Sequence, residues 1–168
     1  MAIEMKHCMA CGTRLVMKHL ESEGGDVPYC PACMDYRFPV FNVAVSMIVL
    51  NETKDRIILI KQYGGTAGIL VAGYVNKGED AEDAAVREVK EELGLEVTSV
   101  HFNRSHYFAP SNTLMLNFTV TVADFDVQPN EEVDDLKIMT LEEARGYIKH
   151  GSLAEQFLIG YLDGKYDF

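Results

Sequence analysis

The chain has 168 residues, of which 48% are hydrophobic, so it can build one domain of ordinary size and a small additional module. Its formal net charge of −11 argues against a general binder of nucleic acids or membrane surfaces, because such proteins carry a basic surface. An acidic chain is suited to recruiting metal cations that meet anionic substrates.

The sequence shows no sign of a membrane segment or of a secretion signal. No apolar run reaches the roughly 18 residues that a membrane-spanning helix needs. The first residues, MAIEMKHCMACG, contain no apolar signal-peptide core. The expected location is therefore the cytoplasm, with no membrane partner.

The first 36 residues contain all four cysteines, as two CxxC pairs with 18 residues between them. The cysteines are Cys8, Cys11, Cys30 and Cys33. Two such pairs are typical of a closed, structural Zn²⁺ site with four thiolate ligands. The alternatives are two disulfides, which a reducing cytoplasm disfavours, or a redox motif, which would not need two copies. We predict a zinc ribbon over residues 1–36 that depends on Zn²⁺ to fold, with His7 and His19 facing solvent.

A second domain is predicted over residues 37–168, where the composition changes to strand-like runs. Runs at 42–50 and 56–63, joined by a turn, indicate a hairpin. Further strands are predicted at 69–71, 96–108, 113–125 and 136–139, and helices at 141–150 and 152–163. This order of elements implies a mixed sheet covered by helices.

The stretch from Gly73 to Leu95 predicts a loop followed by a helix. Gly73 and Gly78 give the loop a backbone that bends easily. Asp80 is suited to begin the helix, and Gly94 to end it. An apolar stripe at helical spacing should face the core, and its members are Ala85, Val86, Val89 and Leu93.

The other face of this helix carries three carboxylates that converge within one turn. Glu88, Glu91 and Glu92 are spaced i, i+3 and i+4, where like charges repel. Arg87 and Lys90 offset only part of that repulsion. A divalent cation such as Mg²⁺ would convert the repulsion into ligation. The alternative is a solvated acidic helix face.

The complete spacing in this stretch resembles the Nudix box, and it matches at every defined position. The matching residues are Gly73, Glu79, Arg87, Glu88, Val89, Glu91, Glu92, Gly94 and Leu95. The resemblance extends over about residues 40 to 160. It implies an α/β/α sandwich with a mixed sheet, and hydrolysis of a nucleoside diphosphate linked to another moiety with the help of Mg²⁺ or Mn²⁺.

The resemblance also implies a role for each box residue. Glu88 and Glu92 would be the main metal ligands, Glu91 a third ligand or the group that positions water, Arg87 the residue that orients the glutamates, and Glu79 the support of the loop. A backbone carbonyl near Ala72 or Gly73 would complete the metal shell. The motif leaves the identity of the general base open.

A further acidic ligand usually comes from a loop beyond the box. The acidic stretch at residues 130–135 is the candidate, and Glu132 is the best placed residue within it. The alternative is a solvated acidic turn.

A zinc ribbon directly before a Nudix domain resembles the NADH pyrophosphatase subfamily, which cleaves NAD(H) to a mononucleotide and AMP. The second motif of that subfamily, SQPWPFPxS, corresponds here to SHYFAPSNT at residues 105–113. Ser105 is retained and Phe108 takes the tryptophan position, whereas most of the remaining motif differs. We expect Ser105, His106, Tyr107 and Phe108 to contact the substrate, with the aromatic rings stacking on a base.

Several alternatives stay open at this level. ADP-ribose, FAD or a nucleotide sugar would fit the same machinery, and fold resemblance alone does not choose among them. A non-catalytic module that binds a nucleotide or RNA is a different class of function, which the loss of a box glutamate would have favoured. NAD-capped RNA is a possible substrate that the negative charge does not support. Since members of the subfamily are dimers, we expect a homodimer.

Overall fold

The computed structural model describes residues 4–166. Its strands are β1 (Val16–Leu20), β2 (Gly25–Cys30), β3 (Asp35–Tyr36), β4 (Asn42–Asn51), β5 (Arg56–Lys61), β6 (Val71–Tyr74), β7 (Val97–Phe108), β8 (Thr113–Val122) and β9 (Asp135–Thr140). Its α-helices are α1 (Ala81–Leu93), α2 (Leu141–Tyr147) and α3 (Leu153–Leu162). No helix within residues 4–166 is both long enough and apolar enough to cross a membrane.

The chain divides into two compact units. The cysteine unit comprises the residues up to Asn42 together with 108–113, and the sheet unit comprises 43–107 and the residues from Leu114 onward. The predicted domain boundary after residue 36 stays a prediction. The outermost residues of the two predicted domains, 1–3 and 167–168, lie outside the described residues.

The cysteine unit is built on a small antiparallel sheet in the order β1-β2-β3. Strands β1 and β2 form an antiparallel hairpin, with Val16 opposite Tyr29 and Leu20 opposite Gly25. Its buried apolar residues are Cys8, Val27 and Cys30. A unit with so small a core depends on other interactions for its stability.

The sheet unit is the α/β/α sandwich with a mixed sheet that the sequence predicts. The main sheet has the order β7-β8-β4-β5-β9, and β6 pairs with β4 beside it. Side chains of β4 alternate between two cores: Met47 and Val49 pack with α1, whereas Ile48 and Leu50 pack with α2 and α3. This alternation is what a strand buried on both faces requires.

Helix α1 follows the prediction closely. It begins after Asp80, which has extended backbone, and it ends at Gly94 in the left-handed conformation with φ 71°. Its residues in the core are Ala84, Ala85, Val89 and Leu93. Val86, which the stripe included, is only half-buried, and Ala84 takes its place because the core covers a slightly different face of the helix.

Several element boundaries differ from the prediction, among them β8, which ends at Val122 rather than at 125, and α2, which ends at Tyr147 rather than at 150. Two further differences bear on the site. β5 ends at Lys61 rather than at Tyr63, because Tyr63 and Gly64 adopt positive φ values of 55° and 73° that an extended strand does not allow. β6 covers 71–74 rather than 69–71, and it pairs antiparallel with β4 so that Gly73 lies opposite Val45. The later strand places Ala72 and Gly73 within the sheet.

Candidate functional site: a carboxylate cavity and a four-cysteine cluster

A cavity of about 320 Å³ lies beside one face of α1 and the loop that precedes this helix. We call it the glutamate cavity. Its lining consists of Tyr63, Ala72, Gly73, Tyr74, Asn76, Arg87, Glu88, Glu91, Glu92, Asn130 and Glu132. The cavity therefore collects side chains from the loop after β5, from β6, from α1 and from the loop before β9.

Helix α1 brings Glu88, Glu91 and Glu92 into this one cavity, as their spacing predicts. Their environments differ strongly. Glu92 is 2% exposed and the Glu88 side chain 13%, whereas the Glu91 side chain is 56% exposed. A solvated acidic face would expose all three carboxylates, so that alternative does not describe this helix.

Arg87 holds the acidic groups in place. Its Nε and Nη2 donate to the two carboxylate oxygens of Glu79 at 2.6 and 2.9 Å, and Nη1 donates to Glu88 at 2.7 Å and to Glu91 at 3.0 Å. Nη2 also donates to the carbonyl of Tyr74 at 3.0 Å. The guanidinium keeps the pKa of Glu79 at about 2, so that carboxylate stays ionised.

Glu79 fixes the loop that precedes the helix. Its carboxylate also accepts a hydrogen bond from the backbone N–H of Asn76 at 2.9 Å. Gly78 lies in this loop with φ 87°, a conformation that favours glycine. The loop is thus tied to α1 through one ion pair that has two hydrogen bonds.

Gly73 serves the site by its small size. Its backbone φ is not positive, so the bendable backbone expected from the sequence is not the reason for a glycine here. A Cβ atom at this position would collide with the carboxylate of Glu88. The strand therefore leaves a space that the Glu88 carboxylate fills.

Glu92 is a buried carboxylate with incomplete hydrogen bonding. Its Oε2 atom has no hydrogen-bond partner among the described residues. The pKa of Glu92 is raised to about 7, mainly by burial and also by the nearby carboxylates of Glu88 and Glu132, while a hydrogen bond with Gln62 opposes the shift. A divalent cation would supply the missing partner and remove the repulsion, so the donor set suits Mg²⁺ or Mn²⁺.

Glu132 reaches the cavity because its loop is attached to the end of α1. The backbone N–H of Asn130 donates to the carbonyl of Glu92 at 3.1 Å, and the Asn130 side chain accepts from the N–H of Glu132 at 2.9 Å. The neighbouring Val133 is buried in the core. These contacts place an exposed Glu132 carboxylate at the cavity wall.

The predicted substrate residues fall into two groups. Ala72 and Gly73 line the glutamate cavity. Ser105, His106 and Tyr107 lie at the end of β7, and the described lining of the cavity does not include them. Phe108 belongs to the cysteine unit. The contact of these four residues with a substrate stays a prediction.

Several lining residues were not predicted from the sequence. Tyr63 belongs to a loop whose course depends on tertiary contacts, and Asn130 lies in the predicted acidic stretch 130–135, of which only Glu132 was named as a site residue. Tyr74 directly follows Gly73 and belongs to the box by position, which is a signal that could have found it. For Tyr63 the available signal was the Gly64-Gly65 pair, which predicts a turn at the end of a strand.

The four cysteines form a compact cluster in the cysteine unit. All four Sγ atoms lie within 4.8 Å of one another, and the closest pair, Cys33 and Cys11, is 3.3 Å apart. A tetrahedral zinc with Zn–S bonds near 2.3 Å needs sulfur separations of about 3.8 Å. His7 and His19 are exposed, as predicted. The cluster has the ligand number and spacing of a structural zinc site.

The charge state of the cluster depends on Arg37, which was not predicted from the sequence. Its Nε donates to Cys8 Sγ at 3.2 Å and lowers the pKa of that thiol to about 6. The hydrogen bond of Cys33 with Cys11 raises the pKa of Cys33 to about 12. Four sulfurs this close cannot all be ionised without a cation among them, which a zinc ion would supply.

Comparison with known proteins identifies relatives over most of the chain. The sequence model of the NUDIX domain matches residues 40–157. The chain is 30% identical over 160 residues to the NAD-capped RNA hydrolase NudC of Pseudomonas aeruginosa, covering 94% of this chain and 55% of that protein. NudC of Stutzerimonas stutzeri is 29% identical over 160 residues, with 94% and 56% covered. The chain thus spans about half the length of the curated relatives it matches.

Solved structures share the fold. A NUDIX hydrolase from Nitrosomonas europaea superposes with a TM-score of 0.67 at 20% identity, covering 98% of this chain and 96% of that one. The NUDIX domain of Shewanella oneidensis NrtR, in complex with ADP ribose, superposes with a TM-score of 0.60 at 14% identity, covering 82% and 92%. At these identities the likeness concerns the fold alone.

Proposed function

The chain belongs to the Nudix domain family, and from that premise we propose that it is a pyrophosphohydrolase that depends on a divalent metal. The observation that carries the proposal is the buried Oε2 atom of Glu92, which has no hydrogen-bond partner among residues 4–166 and lies in a cavity that also contains Glu88 and Glu91. A buried carboxylate oxygen without a partner is costly in a purely structural role. A cation at this position accounts for it.

The residues of the cavity have different proposed roles in binding the metal. Glu88 and Glu92 would hold Mg²⁺ or Mn²⁺, with Glu91 and Glu132 completing the acidic set and the backbone around Ala72 and Gly73 adding a carbonyl. The metal supplies charge neutralisation at the pyrophosphate and activation of the attacking water.

Arg87 and Glu79 act as positioning residues. Arg87 fixes the direction of the Glu88 and Glu91 carboxylates, and Glu79 keeps the guanidinium in one orientation. Because every donor direction of Arg87 is directed at protein groups, the guanidinium is not available to the substrate phosphates. The substrate charge must therefore be met mainly at the carboxylate-bound cation.

The proposed substrate is a dinucleotide of the NAD(H) type, cleaved to AMP and a mononucleotide. The support is the similarity to proteins named NAD-capped RNA hydrolase NudC over 94% of this chain. ADP-ribose, FAD and nucleotide sugars contain the same bond and are the competing substrates. The formal charge of −11 gives no support to a long RNA partner.

We also propose that the four cysteines bind a structural Zn²⁺. The support is the proximity of the four sulfurs and the small core of the cysteine unit. Zinc analysis of the purified protein tests this, and the expected content is one ion per chain. The homodimer and the cytoplasmic location stay predictions, and sedimentation velocity measures the first.

A substrate panel tests the activity. The purified chain is incubated with Mg²⁺ or Mn²⁺ and with NADH, NAD, ADP-ribose, FAD or a nucleoside triphosphate, and the products are separated. AMP and a mononucleotide from NADH, formed faster than products from ADP-ribose, are the expected result. Faster cleavage of another compound of the panel would make that compound the proposed substrate. If none of the compounds is hydrolysed, a binding module without catalytic activity is favoured.

A further inference from the structure

Tyr63 is an exposed aromatic residue that lines the glutamate cavity. It follows the end of β5 by two residues, and it is 86% exposed. A tyrosine this exposed contributes little to the core, since most of its ring remains in contact with water. Its place in the fold therefore has to be explained by something other than packing.

The backbone of Tyr63 is held in an uncommon conformation. Its φ of 55° is left-handed, which a bulky residue without a special reason avoids. Strained residues of this kind concentrate at ligand sites, where the surrounding structure enforces them. The next residue, Gly64, also has positive φ, at 73°, so the two residues are the central pair of a type I′ turn, whose first position usually holds asparagine, aspartate or glycine rather than a bulky ring.

The turn that carries Tyr63 is fixed from the acidic loop. The N–H of Gly64 donates to the Asp134 carboxylate at 2.7 Å, and the N–H of Asp134 donates to the carbonyl of Lys61 at 2.9 Å. The N–H of Gly65 closes the turn on the carbonyl of Gln62 at 3.0 Å. The same loop carries Glu132, so the backbone of the Tyr63 turn is held close to the loop that brings this carboxylate to the cavity.

The chemistry of the cavity indicates what the ring meets. The remaining walls are carboxylates, two asparagine side chains, Ala72 and Gly73, and Arg87, whose guanidinium is engaged with protein groups. The polar groups among them suit a cation, phosphates and hydroxyls. The lining also includes a second aromatic ring, Tyr74, which is less exposed than Tyr63, at 59% against 86%. A planar base needs a flat apolar face, which an aromatic ring provides without regard to base identity.

We propose that Tyr63 is a stacking platform for an aromatic base of the nucleotide substrate, at the rim of the glutamate cavity. The proposal rests on the proposed function, because it assumes that the pyrophosphate lies at the glutamates. It assigns base recognition to the loop after β5. A base on this ring is held before and after cleavage, so the contact affects KM more than kcat.

The test compares Tyr63→Phe with Tyr63→Leu. Both replacements keep a side chain in the same left-handed backbone, so the strain is matched, and only leucine lacks a flat face. For Tyr63→Leu we expect KM for the cleaved substrate to rise about tenfold, with kcat within about twofold, and for Tyr63→Phe a KM near that of the parent. A rise confined to NADH assigns the ring to the base that ADP-ribose lacks, and a rise for both assigns it to adenine.

Two results would overturn the proposal. An unchanged KM for Tyr63→Leu would show that the ring meets no base, and an equal loss in Tyr63→Phe would show that the hydroxyl acts instead. Tyr63→Gly, which relieves the strain, should raise the denaturation midpoint slightly and lose substrate affinity as leucine does. Loss of stability in this variant would mean that the ring has a structural role.

A second measurement separates this inference from the proposed activity. Calorimetric titration with AMP and with nicotinamide mononucleotide in Mg²⁺ requires no hydrolysis, since neither contains a pyrophosphate bond. Weaker binding of one of them to Tyr63→Leu than to Tyr63→Phe supports the platform even if the panel shows no turnover. Equal binding to both variants contradicts it even if the enzyme is active.

Discussion

The two proposed metal sites, the glutamate cavity and the four-cysteine cluster, differ in how far the protein positions the ligands before a metal binds. At the glutamate cavity, α1 is packed into a core and Arg87 aligns the carboxylates through four short hydrogen bonds to Glu79, Glu88 and Glu91. At the cysteine cluster, two turns bring four sulfurs together over a unit with very little core. The first site is organised by the fold, whereas the second contributes to organising it.

This difference follows from the position of the ligands in the chain. Glu88 and Glu92 lie one helical turn apart, so local helix geometry aligns them whether or not a cation is present. Cys8 and Cys33 lie in different turns, so their approach requires that the whole unit fold. Metal removal should therefore have opposite consequences at the two sites.

The largest expected effect is the loss of structure in the cysteine unit when zinc is removed. Structural zinc contributes roughly 10–16 kcal/mol in small zinc modules, more than so small a core can replace. Cys8→Ser should release the metal and abolish amide hydrogen-exchange protection in β1 and β2. Protection in β4 and β8, inside the sheet unit, should persist.

The exposed histidine nearby provides the control for this experiment. His19→Ala should keep both the zinc content and the protection of β1, since His19 is exposed and four thiolates already complete the set. Unchanged zinc in Cys8→Ser would contradict the four-cysteine assignment. Loss of exchange protection throughout the sheet unit of Cys8→Ser would show that the fold around the glutamate cavity also depends on zinc, which contradicts the proposed difference between the two sites.

The next effect is catalytic and leaves the fold intact. Glu88→Gln keeps the shape of the side chain and removes its charge, so we expect kcat/KM to fall about 10³-fold because a preorganised electrostatic group is lost. The thermal midpoint should change little. Glu82→Gln, an exposed glutamate of the same helix outside the cavity, is the matched control and should retain full activity.

A pair of glycine variants distinguishes two reasons for a glycine: space for the Glu88 carboxylate at Gly73, and a positive φ in the loop at Gly78. Gly73→Ala should displace the Glu88 carboxylate and lower kcat/KM about 10²-fold, since small misplacements at a reacting centre are costly. Gly78→Ala has open space around it but a φ of 87°, so it should cost about 1 kcal/mol of stability. The reverse pattern of losses would show that Gly73 serves the backbone after all.

The sequence predicted the parts of this molecule that depend on local spacing. The course of α1 and the convergence of its glutamates follow from helical periodicity and from the residues that begin and end the helix. The sheet and its helices follow from the order of the elements. The four cysteines meet as their CxxC spacing predicts.

The parts that it missed depend on contacts between distant segments. Tyr63 was predicted to end a strand. The Gly64-Gly65 pair was a local signal for a turn, but the bond from Gly64 to Asp134, 70 positions away, is what fixes the turn beside the cavity. The burial of Glu92 could not be predicted for the same reason, since the spacing of three glutamates on one helix face does not indicate which of them the rest of the fold will cover. Gly73 was interpreted through its backbone because the space that it leaves for Glu88 is visible only in three dimensions.

The smallest predicted effect concerns Arg37, the counterpart at the cysteine cluster of Arg87 at the cavity. Its side chain is 14% exposed and donates to Cys8 Sγ and to the Asp35 carboxylate. Arg37→Lys keeps a positive charge, but an ammonium group lacks the planar guanidinium that donates to Cys8 and Asp35 together, so the Cys8 thiolate loses a directed hydrogen bond. The zinc affinity, measured by competition with a chelator, should fall about tenfold, while the zinc content without chelator stays the same.

The control for this prediction is a second arginine of the same unit. Arg14 is exposed, and Arg14→Lys should leave the zinc affinity unchanged. An equal loss in both variants would mean that general charge, rather than the bond to Cys8, sets the affinity of the cluster.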